Sequence, residues 1–289
     1  MGKKAGLVWL WLLSTVLFGT FFAWNHFKSK LDDLEKLKSR TIMLEKRIER
    51  TEDVQRFSPK VLELQKKKAE ANAPLVMKKF SNPPSSNPDF YQIIVPEVVC
   101  PHYERIGEKG DGGKNVCNPD AIPDNCTIIS LGLNDVIQFD RDIQARTNQR
   151  CNIIGAEINE PAAATRETYR SMRGTIFTGR VGKDMSITDL LIRKQLDSAE
   201  ILKMDIEDDE HFALEPFLVE NTVCQLFIEI HGTVQQHISL LKTIARYGYK
   251  IFSVEPNPLC VTCCEYSYLH EKCLQRYDAS TLADIIPKL

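Results

Sequence analysis

The sequence feature that most limits the fold is an alternation of short apolar runs with helical stretches after residue 120. The apolar runs span residues 127–131, 152–156, 175–178, 200–204, 223–230 and 249–254, with a candidate seventh run at 259–269. Helical patterns lie between them at 161–172, 186–194, 212–219 and 234–247. Strands that are apolar almost throughout and alternate with helices predict an α/β fold, in which helices cover both faces of a parallel sheet.

Four of the predicted strands end at a residue suited to a binding site, namely Gly132, Glu157, Asp205 and His231. Open α/β sheets bind ligands outside the carboxyl ends of their strands. Gly132 allows the backbone to approach a ligand closely, and Glu157, 25 residues later, suits the two hydroxyls of a ribose. The alternative for Glu157 is an ordinary exposed carboxylate. Because the loop holds one glycine rather than a dinucleotide fingerprint, S-adenosylmethionine (SAM) fits better than a dinucleotide.

Several stretches between Tyr103 and Pro256 carry a resemblance to a known family. They are Arg105-Ile106-Gly107, Asp111-Gly112-Gly113-Lys114 to Cys117, Ser130-Leu131-Gly132-Leu133-Asn134-Asp135, Phe139-Asp140, Leu202-Lys203-Met204-Asp205-Ile206-Glu207, Phe227-Ile228-Glu229-Ile230-His231 and Gly248-Tyr249. In this order they resemble the SAM-dependent methyltransferases of the FkbM-like and methyltransferase-like families. The resemblance implies a Rossmann-like, seven-stranded methyltransferase sheet with an antiparallel last strand, and methyl transfer from SAM, often to oxygen.

Three residues at the strand ends are the candidate catalytic groups, Asp205, Glu207 and His231. Transfer to a hydroxyl needs a base, and a histidine titrates near neutral pH. Alternatives stay open: His231 as a core residue, Asp205 as partner of the cofactor's amino group, and Glu207 with Glu229 orienting His231 or binding a divalent metal. The spacing is not diagnostic of a metal, so we assign none.

The candidate cofactor-binding residues form two groups. From the strand ends we assign Gly132, Asn134, Asp135, Glu157, Asp184 and Asp205. Asp184 is an equally good helix N-cap beside Ser186. Asp111-Gly112-Gly113 reads first as a tight turn, and the resemblance suggests that this turn covers the cofactor.

The chain has nine cysteines, a large number for a reducing compartment. Cys100 and Cys117 flank the glycine turn, so a disulfide between them is plausible. Cys260, Cys263 and Cys264 form a cluster that Cys273 or His270 would complete as a zinc site, although disulfides or buried thiols are favoured. Cys126 and Cys151 begin strands and are candidate core residues. An odd count leaves at least one thiol unpaired or intermolecular.

The amino-terminal end predicts a membrane anchor. Residues 1–4 form a short tail and residues 5–24 carry no charge, a length that spans the hydrocarbon core as a helix. A cleaved signal peptide is the rival, but the run is long and ends Phe21-Phe22-Ala23-Trp24. Lysines and arginines are more numerous after the span, which favours a cytoplasmic body. The cysteines and the sequon Asn125-Cys126-Thr127 favour a luminal one, and we expect a luminal body in the Golgi or endoplasmic reticulum.

Residues 25–72 predict a charged helical stem with a weak coiled-coil pattern, a candidate for self-association. Proline, serine and asparagine at 73–90 predict a linker, and residues 91–289 form the methyltransferase-like domain. Residues 1–90 have a net charge of +7 and residues 91–289 a net charge of −9. An acidic body repels a phosphate backbone, which excludes nucleic acid as a partner.

These observations together predict a membrane-anchored, SAM-dependent methyltransferase. Its expected acceptor is a hydroxyl in the secretory lumen, a class that includes glycans. The alternative is a catalytically inactive methyltransferase-fold protein that acts as a tethered interaction module. Two features motivate that alternative: the single glycine of the first loop, and Asp208 where relatives usually have glycine.

Overall fold

The computed structural model describes residues 58–110 and 112–288, together with seven residues between 24 and 38. Those seven are Trp24, Phe27, Lys28, Lys30, Leu31, Leu34 and Lys38. Within the described residues we find no helix with the length and apolar composition that crossing a bilayer requires. The predicted anchor, apart from Trp24, lies outside the described residues, as does most of the predicted stem up to residue 57. The chain divides into Met1–Ser58 and Pro59–Leu289, and the second unit is described below.

Seven strands of this unit form one sheet. In chain order they are β4 (Thr127–Leu131), β5 (Asn152–Glu157), β6 (Gly174–Thr178), β7 (Ile201–Met204), β8 (Gln225–His231), β9 (Tyr249–Pro256) and β10 (Cys263–His270). Their order across the sheet is β6-β5-β4-β7-β8-β10-β9. The pairings are parallel except for those of β10, which runs antiparallel to both β8 and β9. The predicted seven-stranded α/β sheet with an antiparallel last strand is therefore confirmed.

Four shorter strands lie outside the sheet in two ribbons. The strands are β1 (Val98–Val99), β2 (Tyr103–Ile106), β3 (Lys114–Cys117) and β11 (Ser280–Thr281). β2 and β3 form an antiparallel hairpin, and β1 pairs with β11 near the end of the chain. The turn between β2 and β3 contains the glycines that the family resemblance suggests lie over the cofactor.

Both faces of the sheet are covered, since the central strands expose no side chain to water. Every residue of β4 and β7 is buried, as a parallel sheet enclosed on both faces requires. The helices are α1 (Pro59–Ser81), α2 (Asn87–Tyr91), α3 (Gln138–Arg146), α4 (Ala163–Ser171), α5 (Ile187–Arg193), α6 (Glu210–Glu220) and α7 (Val234–Arg246). Ser186 starts α5 and Thr233 starts α7, each through a capping box.

The predicted linker at 73–90 and the domain boundary at 91 are corrected by the structure. α1 continues through Pro74 to Ser81, and Ala73, Val76 and Phe80 are buried in the main core. α2 then buries Phe90 and Tyr91 in the same core. Proline removes one backbone hydrogen bond from a helix, but the buried apolar stripe outweighs that loss. The folded domain therefore includes segments that precede residue 91.

Eight of the nine cysteines are paired. The disulfides are Cys100–Cys117, Cys126–Cys151, Cys224–Cys273 and Cys260–Cys263, and Cys264 is free and buried. The structure therefore places Cys126 and Cys151 in a bond rather than as separate core thiols. It also excludes the zinc set considered for the Cys260 cluster, with either Cys273 or His270 as fourth ligand, because Cys260 and Cys263 are bonded to each other.

Three of the disulfides lie at one edge of the sheet, where the parallel strands begin. Cys126, Cys151 and Cys224 each stand immediately before a strand. The Cys100–Cys117 bond lies beside them, since the backbone N–H of Cys117 donates to Oε1 of Gln225, the first residue of β8, at 2.8 Å. Only the Cys260–Cys263 bond lies at the opposite edge.

Candidate functional site

The four polar strand ends meet in one cleft of about 1050 Å³ at the carboxyl edge of the sheet. Gly132, Glu157, Asp205 and His231 all line it. The strand order reverses between β4 and β7, and Gly132 and Asp205 follow these two strands. The cleft therefore lies at the topological switch point, where open α/β sheets bind their ligands.

The loop after β4 is fixed in place by its two neighbouring strands. The N–H of Gly132 donates to the carbonyl of Ala156 at 3.0 Å, and the ammonium of Lys203 donates to the carbonyl of Gly132 at 2.8 Å. Gly132 has a φ of +72°, and a Cβ added there would lie 1.5 Å from the carbonyl oxygen of Asp205. Only glycine fits this position, because both the backbone conformation and the space exclude a side chain.

Glu157 holds the same loop from the next strand. Its Oε2 accepts the N–H groups of Leu133 at 2.8 Å and Asn134 at 2.7 Å, and its Oε1 accepts the N–H of Ile158 at 2.8 Å. A carboxylate offers about four lone-pair sites, so three N–H groups leave one for a ligand hydroxyl. Glu157 is therefore both a brace of the loop and a cleft residue.

The structure separates the other predicted cofactor-binding residues. Asn134 lines the cleft, whereas Asp135 and Asp184 do not. The Asp135 carboxylate accepts the N–H of Ala162 at 3.0 Å and so supports the start of α4. The Asp184 carboxylate accepts the N–H of Arg180 at 2.8 Å. The structure does not support the prediction that these two acids contact the cofactor directly, because neither acid lines the cleft and a backbone amide holds each carboxylate.

Among the turn residues, Gly112 lines the cleft and Gly113 does not. A Cβ on Gly113 would lie 2.2 Å from the carbonyl oxygen of Glu108, so this glycine serves the tight turn itself. Asp111 lies outside the described residues.

The three candidate catalytic residues are close to one another. Nε2 of His231 lies 3.8 Å from Oδ1 of Asp205 and 3.6 Å from Oε2 of Glu207. The Glu207 side chain is 86% exposed, whereas the His231 side chain is 12% exposed. Asp208, where the FkbM-like resemblance leads us to expect glycine, has a φ of +75°. Aspartate is among the few residues that tolerate this backbone conformation, so the turn is kept without glycine.

Glu210, which sequence analysis missed, orients His231. Its Oε1 lies 3.1 Å from Nδ1 of His231 and accepts the backbone N–H of His231 at 2.8 Å. Burial by itself lowers the pKa of His231, but the hydrogen bond to Glu210 and the charges of Glu210 and Asp205 outweigh it and raise the pKa to about 9. His231 is therefore an imidazolium at neutral pH, and the candidate bases that remain are Asp205 and Glu207.

A buried charge network forms the floor of the cleft. Glu229 on β8 and Glu265 on β10 are cross-strand neighbours, and Lys114 forms a buried ion pair with Glu265. Oε1 of Glu229 accepts a hydrogen bond from Asn257 at 2.8 Å. Burial, with the negative charges of Glu265 and Asp205, raises the pKa of Glu229 to about 8. Glu229 is therefore mostly protonated at neutral pH.

One wall of the cleft is formed by an ion pair that no local sequence pattern predicts. Nε and Nη2 of Arg180 lie 2.5 and 2.6 Å from the carboxylate of Asp209, joining the loop after β6 to the start of α6. The opposite rim carries the Cys260–Cys263 disulfide. Neither feature lies at a predicted strand end, which is why the strand-end rule does not find them.

The cleft residues fit SAM by the chemistry of their donors and acceptors. Glu157 keeps an acceptor site for a ribose hydroxyl, and the side chain of Asp205 lines the cleft beside Gly132. SAM carries a sulfonium and an ammonium, and a cleft rich in carboxylates favours both charges.

The sheet topology and this strand-end cleft define a Rossmann-like methyltransferase domain. The family profile described as "Methyltransferase domain" matches residues 51–270, about three quarters of the chain. The chain therefore belongs to this methyltransferase family. No match was found among curated proteins.

Solved structures provide further similarities. Fibrillarin from Aeropyrum pernix, solved with natively bound SAM, has a TM-score of 0.39 and 13% identity, over 52% of this chain and 68% of that one. Precorrin-6y C5,15-methyltransferase from Geobacter metallireducens has a TM-score of 0.38 and 6% identity, over 53% of this chain and 84% of that one.

Proposed function

We propose that this methyltransferase transfers the methyl group of SAM to a hydroxyl of a neutral acceptor, a class that includes glycans, and that it belongs with the FkbM-like and methyltransferase-like enzymes. The observation that carries the proposal is the meeting of Asp205 and Glu207 in the SAM cleft. The K-x-D-x-E and E-x-H stretches that carry the resemblance end at this point.

The charge of the cleft favours a neutral acceptor over an anionic one. Its lining holds seven acids, Glu108, Glu157, Asp205, Glu207, Asp208, Asp209 and Glu229, and two strong bases, Arg180 and Lys203. Arg180 is paired with Asp209, and Lys203 donates to the carbonyl of Gly132. The His231 imidazolium is likewise held by Glu210, so every positive group among these lining residues already has an acceptor, and phosphate or sulfate acceptors are disfavoured.

Different residues of the cleft have different roles in the proposed methyl transfer. When bound, SAM supplies an electrophilic methyl group on sulfur. Asp205 or Glu207 accepts the proton of the acceptor hydroxyl as its oxygen bonds to the methyl carbon and the carbon–sulfur bond breaks. Glu210 holds His231 beside both carboxylates, and the loop held by Glu157 would bind the cofactor and orient it toward the acceptor.

Calorimetry with SAM on the full chain in detergent tests the cofactor site. Glu157→Ala removes an acceptor of three backbone hydrogen bonds and a ligand group, and we expect SAM affinity to fall about tenfold or more. Asp184→Ala is the matched control, an acid outside the cleft, and its Kd should stay within about twofold of the wild type. Equal losses in the two variants would contradict the assignment of Glu157.

An acceptor screen tests the reaction. Formation of S-adenosylhomocysteine is measured with neutral polyols and glycans beside phosphorylated and sulfated ones. Neutral hydroxyl acceptors are expected to react, and Glu207→Gln should reduce kcat by about 100-fold with SAM affinity unchanged. Preference for the anionic set would overturn the proposed acceptor class.

We also propose that the domain faces the secretory lumen, anchored through residues 5–24 and able to self-associate through the stem. Four disulfides and an exposed Asn125 in the turn before β4 support this location. Protease treatment of sealed microsomes measures it. The domain should survive until detergent is added, and digestion in sealed vesicles would place it in the cytosol.

A further inference from the structure

The cluster at the ends of β7 and β8 contains more carboxyl groups than its methyl-transfer role requires. Asp205, Glu207, Glu210 and Glu229 surround the single imidazole of His231. Within the described residues, none of these four carboxylates forms an ion pair with a lysine or arginine. Such a gathering of carboxyl groups is costly unless protons or a metal ion neutralise it, and a divalent cation can take the place of the protons.

The donor atoms of this cluster converge on one point. Oδ1 of Asp205, Oε2 of Glu207 and Nε2 of His231 are mutually close, with His231 3.8 and 3.6 Å from the two carboxylates. Ligands on neighbouring vertices of an octahedron with bonds of about 2.1 Å lie about 3.0 Å apart. The two distances from Nε2 of His231 therefore need to shorten by less than about 1 Å, and the two carboxylate oxygens start within 4.8 Å of each other.

Glu210 prepares His231 for metal coordination. Nδ1–H of His231 donates to Oε1 of Glu210, and Nε2 faces Asp205 and Glu207, where a bound cation would replace the Nε2 proton. Metal-bound histidines usually donate their second ring N–H to a carboxylate in this way. Glu210 is fully buried, and its Oε2 has no hydrogen-bond partner among the described residues.

A second buried carboxyl points into the cluster independently of Glu210. Glu229 is 2% exposed, lines the cleft, and has a carboxylate oxygen within 4.8 Å of a ring nitrogen of His231. Asn257 donates to one of its oxygens, and the other accepts no hydrogen bond from the described residues. A partly unpartnered buried carboxyl beside three converging donors is the arrangement that a cation completes.

We propose that Asp205, Glu207 and His231 bind one divalent cation of the Mn²⁺ or Mg²⁺ class, with Glu210 positioning His231 and Glu229 facing the ion from the cleft floor. Oxygen donors with one imidazole suit Mn²⁺ in particular. The site differs from the SAM subsite at Gly132 and Glu157, and it occupies the acceptor side of the cleft.

For the reaction, this cation selects the acceptor. A hydroxyl that coordinates the ion becomes more acidic, and a vicinal diol binds it through two oxygens. This consequence rests on the proposed O-methylation, whereas the cation site itself does not. A vicinal diol is the acceptor class that the arrangement favours.

Binding of Mn²⁺ to the full chain in detergent, without SAM or acceptor, tests the site. Electron paramagnetic resonance reports free Mn²⁺, whose signal disappears on binding. We expect one Mn²⁺ per chain, and Glu207→Gln and Asp205→Asn should each weaken binding about tenfold or more. Glu207 is exposed, so its variant tests the site without unfolding the protein.

Asp208→Asn is the matched control, because Asp208 is an adjacent acid that groups with Glu210 and His211 and is not one of the three proposed ligands. Its Mn²⁺ affinity should stay within about twofold of the wild type. Nitrogen coupling in the bound Mn²⁺ spectrum should be lost in His231→Gln. Absence of Mn²⁺ binding by a folded chain, or an equal loss in Asp208→Asn, would overturn the proposal while leaving the SAM and acceptor tests intact.

Discussion

Gly132→Ala is expected to abolish measurable SAM binding and to lower the free energy of unfolding by about 3 kcal/mol or more. The new Cβ would lie 1.5 Å from the carbonyl oxygen of Asp205, and the backbone at φ +72° disfavours any side chain. The loop after β4 would have to leave β7, which also breaks the hydrogen bond from Lys203. Calorimetry with SAM and denaturant unfolding measure the two effects.

Gly110→Ala separates conformational strain from the clash. Gly110 has a φ of +98°, but a Cβ added there would meet no described atom within 4 Å. Its variant should lose about 1–2 kcal/mol at most and keep its SAM affinity within about twofold. Equal effects at the two glycines would show that contact with β7 does not set the loop.

Lys114→Met is expected to lower the free energy of unfolding by about 3–5 kcal/mol. It removes the only lysine or arginine paired with Glu265 among the described residues, and Glu265 lies opposite Glu229 on the neighbouring strand. The buried carboxyl groups of Glu229 and Glu265 would then lie side by side below the cleft without a lysine or arginine to pair with. The double variant Lys114→Met with Glu265→Leu should recover most of the loss, because it removes the uncompensated charge.

Arg146→Met provides the surface comparison. Arg146 pairs with Glu104 and Asp120, which are much more exposed than Glu265. Its loss should cost about 1 kcal/mol or less. Denaturant unfolding with the disulfides intact measures the loss of unfolding free energy in both variants. Similar losses for Arg146→Met and Lys114→Met would show that the buried pair contributes no more to stability than the surface pairs.

The sequence predicts most of the sheet because burial on both faces requires a continuous apolar run. The same logic locates Gly132, Glu157, Asp205 and His231, since a polar residue after such a run marks the carboxyl edge. These four residues line one cleft although up to 99 positions separate them along the chain.

Other parts of the site depend on pairings that no local pattern encodes. Glu210 looks like an ordinary acid at a helix start, and only the fold brings it to His231 from 21 residues away. The 73–90 segment reads as a linker because of its prolines, yet tertiary burial of Val76 and Phe80 decides its structure. The Cys224–Cys273 pairing spans 49 residues and likewise follows from topology.

The grouping of three disulfides where the parallel strands begin has a consequence for evolution and engineering. Each crosslink contributes about 2–4 kcal/mol by limiting the unfolded chain, and these three act away from the loops that contact ligands. Substitutions in those loops can therefore be accepted without crossing the threshold for folding. Substitutions that change acceptor preference are therefore expected to accumulate in this domain with little loss of stability.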